Sequence, residues 1–285
     1  LKATSAMPFI WEMLTGNEDP YIRSAGSYAL SLMCEPRQIS VLADEEDPSL
    51  RLAGVLALRR QKDPLVAAFL HDDDPKVARA ALEAIHDVGI EKARPLVAAL
   101  LDEPPAYLTT MDWCRVLHSA FRLGDDENLT RVINVVLDGK APAAAREEAL
   151  RLVGLWSKPH PVDQSLGRWS PLPERDSAKV KNVLMPMLGS LLKLDGKLAE
   201  PALALVKKYQ LDLSAVDNSV LRGLVMNEGL PGAARSEALE LYSARKTDDL
   251  EGLLASLAKG KDDDLAIGAI KRLGVDQPDK ALEGI

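Results

Sequence analysis

Cys114 and His118 stand four residues apart in "WCRVLH" (113–118). On a helix that spacing sets both on one face, as a thiol nucleophile with its base or as two metal ligands. No second ligand pair or orienting acid stands near them in sequence, and the Ala/Leu-rich surroundings favour simple packing of Cys114. His71 precedes Asp72, Asp73 and Asp74, but the Gly and Glu of a calcium loop are missing at the required offsets, so the run reads as a solvated turn. His86 beside Asp87 reads as a helix-surface residue. Neither cysteine belongs to a C-x-x-C or C-x-x-C-H motif, and no Gly-rich phosphate loop is present. No cofactor and no metal are expected. Arg23, Arg51, Arg79, Arg146 and Arg235 recur along the chain. Such residues could line a ligand groove, but the favoured reading is a structural ladder to carboxylates and helix-end carbonyls of the adjacent repeat.

The elements that must position these residues follow a period. "DPYIRSAGSYAL" begins at Asp19, "DPSLRLAGVLAL" at Asp47 and "DPKVARAALEAI" at Asp74, spacings of 28 and 27 residues. Degenerate copies begin at Ala141 and Leu230, 89 residues apart, and "DDDLAIGAIKRL" near the end is a last one. Asp before Pro suits a helix start, because the carboxylate accepts orphan backbone N–H groups and Pro has none to leave unpaired. An Ala-rich helix follows, then a shorter one such as "DPLVAAFLHD" (63–72) or "ARPLVAALLD" (93–102). Leu129, Val132, Ile133, Val136 and Leu137 form one apolar stripe; Val180, Val183, Leu184, Met187, Leu188, Leu191 and Leu192 form another, with Pro186 inside it predicting a broken turn. No segment alternates with period two, so no strand is expected.

The spacing predicts helical pairs over 20–45, 47–72, 75–103, 105–139, 142–194, 197–229, 231–259 and 261–285, after a half-repeat at 8–16. One such pair cannot bury its own apolar face, whereas stacked pairs can. The expected fold is all-α: a right-handed α-solenoid forming a single repeat domain over 1–285. The Asp-Pro opening, with Arg and small residues behind it, resembles HEAT repeats of the short type. Cys34 and Cys114 then lie about three repeats apart, at roughly 10 Å per helical layer, too far for a disulfide.

Composition excludes some functions. The formal net charge is −8, which disfavours a nucleic-acid backbone in the absence of a strong basic stripe, and none is visible. The longest uncharged runs, 24–34 and 182–192, hold 11 residues each, short of the roughly 20 that cross a bilayer. The sequence begins at Leu1 and stops in "DKALEGI" as a helix starts, which reads as a segment of a longer protein.

One stretch breaks the pattern, the connection of 157–176 that ends in "DQSLGRWSPLPERD". It exceeds the usual helix–helix connection, and Trp156, Trp169, Leu172, Pro159, Pro161, Pro171 and Pro173 predict an ordered loop. Trp156 should anchor it to the core. Trp169, Pro171, Leu172 and Pro173 should pack back over the helices or face a partner, Asp176 should cap the next helix, and Arg175 should pair with a carboxylate across an interface. The competing reading is a lid over the groove between repeats.

"W-S-K-P" at 156–159 and "G-R-W-S-P-L-P-E-R-D" at 167–176 resemble the HEAT-repeat region of large bacterial proteins named membrane-bound dehydrogenases. In that family a β-propeller domain precedes the repeats and a c-type cytochrome domain usually follows. The resemblance implies an exported, periplasmic redox parent in which this segment is a non-catalytic scaffold, with no catalytic residue or cofactor carried over. The expected partners are therefore a protein or neighbouring domains, without nucleic acid or membrane insertion. The alternative is a HEAT-fold enzyme, of DNA-base glycosylase or chromophore lyase type, with a pocket on the repeat surface.

Overall fold

The computed structural model describes residues 6–276 except 215, and the fold is all-α. The end of the last expected pair, 277–285, lies outside the described residues. The chain groups into two compact units, Leu1–Val136 with Lys140–Arg175, and Leu137–Gly139 with Asp176–Ile285.

The first unit holds α1 (Met7–Leu14), α2 (Pro20–Met33), α3 (Pro36–Ser40), α4 (Pro48–Gln61), α5 (Pro75–Val88), α6 (Arg94–Ala99), α7 (Thr110–Leu123), most of α8 (Asp126–Leu137) and α9 (Ala143–Leu155). Helices α2, α4, α5, α7 and α9 pack side by side in that order, a repeat-like stacking of the longer member of each pair. The shorter members shrink to α3, a 3-10 turn at Pro64–Phe69 and α6.

Each Asp-Pro start works as its chemistry requires. The carboxylates of Asp19, Asp47 and Asp74 accept the backbone N–H two residues on, at 2.8, 2.8 and 2.7 Å. Seven residues after the cap stand Gly26, Gly54 and Ala81, where a neighbour presses in: a Cβ on Gly26 would meet Leu14, and one on Gly54 would meet Leu42 and Phe69. The degenerate copies obey the same rule one residue later than their sequence alignment suggests. Pro142 caps α9, and Ala149 seven residues on is fully buried.

The repeated arginines form the ladder. Arg51 forks onto Asp72 at 2.8 and 2.9 Å and reaches the carbonyls of Glu45 and Glu46. Arg79 bonds Asp112 and the Tyr107 carbonyl. Arg146 donates to the Val136 carbonyl ten residues back at 2.9 Å, and Arg235 repeats that step onto Val225. Arg23 donates to the Glu18 carbonyl at 3.4 Å. These side chains tie each helix start to the chain just before it or to the repeat that follows.

The second unit carries α10 (Ser177–Leu184), α11 (Leu188–Leu191), α12 (Ala199–Tyr209), α13 (Asn218–Met226), α14 (Gly232–Ser243), α15 (Leu250–Ala258) and α16 (Asp263–Asp276). Helices α10, α12, α14 and α16 contact in succession. Pro186 breaks its stripe as expected, through a 3-10 turn at Met185–Met187 that separates α10 from α11.

The expectation of no strand needs correction. Within the connection, β1 (Val162–Asp163) and β2 (Arg168–Trp169) pair antiparallel, Val162 opposite Trp169 and Asp163 opposite Arg168. Two residues per strand carry no readable alternation. Gly167, at φ +65°, supplies the left-handed position that lets the turn close. Among the described residues no helix is long and apolar enough to cross a membrane.

Candidate functional site

Helices α7 and α9 lie side by side, and the connection of 157–176 folds over them. Helix α7 is fixed at its start by a capping box between Thr109 and Asp112 and ends at Gly124, φ +75°. It presents Cys114, His118, Phe121 and Arg122 at one-turn steps; α9 presents Glu148, Arg151 and Leu152, with Trp156 just beyond its end.

Cys114 and His118 are brought to an acid that the local sequence does not show. His118 Nε2 lies 2.6 Å from Glu148 Oε1. The sulfur of Cys114, a ring nitrogen of His118 and a carboxylate oxygen of Glu148 all fall within 4.8 Å of one another. Arg151 forks onto both oxygens of Glu148 at 2.6 and 2.7 Å and also bonds Gln164 of the loop. Burial alone would lower the His118 pKa, but its bonds to Cys114 and Glu148, with their charges, outweigh burial and raise it to about 9. Burial would raise that of Glu148, yet Arg151 and His118 hold it down at about 2. Glu148 sits 30 residues from His118, one repeat along, so the period was the signal that could have found it.

The loop is tied down by buried polar groups. Asp163 accepts from Ser165 N and Oγ at 3.0 and 2.6 Å and from Arg122 at 3.1 Å. Arg122 also reaches Ser170 Oγ at 3.0 Å. His86 is fully buried, a correction to its expected surface position: its ring nitrogens meet Ser119 Oγ at 3.1 Å and Ser165 Oγ at 2.8 Å. The face taken for solvent is covered by α7 and by the returning loop.

Of the residues expected to meet a partner, the structure separates two kinds. Trp169 is 72 % exposed, and Pro171 and Pro173 are exposed beside it. Leu172 is half-buried and lines a cavity of about 20 Å³ with His118, Phe121, Arg122 and Leu152. Arg175 is corrected from an interface cation to an internal clamp. Its guanidinium stacks over Phe121 and Trp156 at 4.8 and 5.0 Å and donates to the carbonyls of both residues. The two rings meet edge to face at 5.3 Å, which leaves a π-surface on which a planar cation gains more than it would in water. Trp156, 1 % exposed, is the expected anchor. Asp176 caps α10 as expected, through Ala178 N at 2.8 Å.

Two further outcomes concern other candidate residues. His71 is exposed, while Asp72 bonds Arg51 and Asp74 caps α5, so that acidic run serves the turn. Helices α2 and α4, however, bring Arg23, Arg59, Arg60 and Lys62 to one concave surface of about 540 Å³ that no carboxylate lines. This local basic cluster was invisible along the chain because its members come from two repeats. No protein-family model matches this chain, and no curated protein matches it either.

Proposed function

We propose that this chain is a non-catalytic docking scaffold, an α-solenoid of HEAT-like helical pairs that holds a protein partner or neighbouring domain at the open end of the 162–169 hairpin, where Trp169 pairs with Val162. The observation that supports it is Trp169, 72 % exposed on a strand whose supports are buried and bonded. A large aromatic on a rigid mount loses little entropy on binding and is the residue type that anchors interfaces. Pro171 and Pro173 hold the flank in one shape for the same reason. The resemblance of 156–176 to the dehydrogenase family suggests that the partner is a propeller or cytochrome domain of one exported, periplasmic redox protein. The cationic surface of α2 and α4 offers a second contact, suited to an acidic segment of such a partner.

The enzyme reading is less well supported, because the cavity beside His118, at about 20 Å³, has room for one water and no substrate. A photo-crosslinking amino acid at position 169, in the native host, should join the chain to one defined protein or to another stretch of its own polypeptide. Trp169→Ala should leave the melting temperature nearly unchanged. No crosslink, or a large loss of stability in Trp169→Ala, would show instead that the hairpin is only a cover.

A further inference from the structure

The Cys114–His118–Glu148 cluster plays no part in that docking role. Its three side chains are of three donor types, drawn from two helices, and they converge on one point with their coordinating atoms within 4.8 Å of one another. We propose that they bind a single zinc ion, which staples α7 to α9.

The donor set selects the metal. Thiolate and imidazole suit a borderline-soft ion, and hard Mg²⁺ or Ca²⁺ prefer oxygen alone. Around a tetrahedral zinc, ligands at about 2.0–2.3 Å stand roughly 3.3–3.8 Å apart. The observed donor atoms, all within 4.8 Å of one another, lie close to that spacing. Cys114 and His118 are one turn apart on a rigid helix, so two of the three positions are preset.

The surroundings fit as well. Arg151 holds the Glu148 carboxylate and is itself held by Gln164, the kind of outer bonding that orients a ligating carboxylate. The side chains of His118 and Glu148 are 5 % and 23 % exposed, and Cys114 is half-buried, so an ion can enter from one side and still be shielded. Three protein ligands leave the fourth position of a tetrahedral zinc to a water. Coordination releases the proton of the Cys114 thiol and the proton shared by His118 and Glu148 to solvent, leaving a thiolate, a neutral imidazole and a carboxylate on the ion.

The test uses the full chain, reduced and stripped of metal, titrated with Co²⁺ as a coloured substitute for zinc and then with Zn²⁺. One equivalent should bind and give a thiolate-to-cobalt charge-transfer band that Zn²⁺ abolishes. The band should persist in Cys34→Ser and vanish in Cys114→Ser. Affinity should fall at least ten-fold in Glu148→Gln and in His118→Gln, with the helical circular-dichroism signal recorded for each. If the buried His118 variant unfolds, the half-exposed Glu148 variant decides. Absence of the band from the native chain, its persistence in Cys114→Ser, or unchanged affinity in a folded Glu148→Gln would each overturn the site.

Discussion

His86 shows how a single residue can be misplaced by its neighbours in sequence. Next to Asp87 near the end of an amphipathic helix it looks solvated, yet its ring is enclosed by Ser119 and Ser165, the latter 79 residues away. Burial is the main reason that its pKa drops from 6.5 to about 4, with the nearby Arg94 charge acting the same way. The unfolded chain therefore binds a proton near pH 6.5 that the folded chain refuses until about pH 4. The stability this neutral ring contributes is full above pH 6.5 and is lost as pH falls toward 4. A shift of that size corresponds to about 3 kcal/mol. Urea titrations across pH 7 to 4 should show that decline in the native chain and a flatter profile in His86→Asn; equal slopes would contradict it. The Arg ladder, by contrast, was legible, because one residue type recurred at one position after each helix start.

At the scale of the element, the helices could be read wherever Asp-Pro marks a start, since the cap is a local event. Asp74→Ala removes the acceptor for Lys76 N and should cost about 1 kcal/mol, seen as a lower urea midpoint with unchanged slope. An unchanged midpoint would mean that the cap is decorative. Where the motif decays, Pro142 and Pro231 cap without a side-chain acceptor, and the true start lies one residue beyond the aligned one. Packing of Ala149 and Ala238, both fully buried, sets that register. The hairpin could not be read, because its two rungs are set by Gly167 and by the Asp163 turn and not by any alternation of apolar residues. Trp169 was recognised as unusual, but only the hairpin shows that its indole points away from the core.

At the scale of the molecule, what sequence alone could not supply was which repeats exchange side chains across the loop. His118 with Glu148 follows the period, whereas Arg122 with Asp163 and Arg175 with Phe121 depend on the loop turning back on α7. That return passes over Gly124. Its φ of +75° disfavours any other residue, and a Cβ there would collide with the Arg175 guanidinium. Trypsin must draw an arginine side chain fully into its own pocket before it can cut, and Arg175 is held in its aromatic stack. The Arg175–Asp176 bond, where one compact unit gives way to the other, is thereby shielded from digestion by a side chain already in use. Gly124→Ala should cost about 1–2 kcal/mol in backbone strain and, by evicting Arg175, turn that bond into an early cleavage point. Mass spectrometry of a brief digest should then find a fragment ending at Arg175 in the variant well before it forms in the native chain.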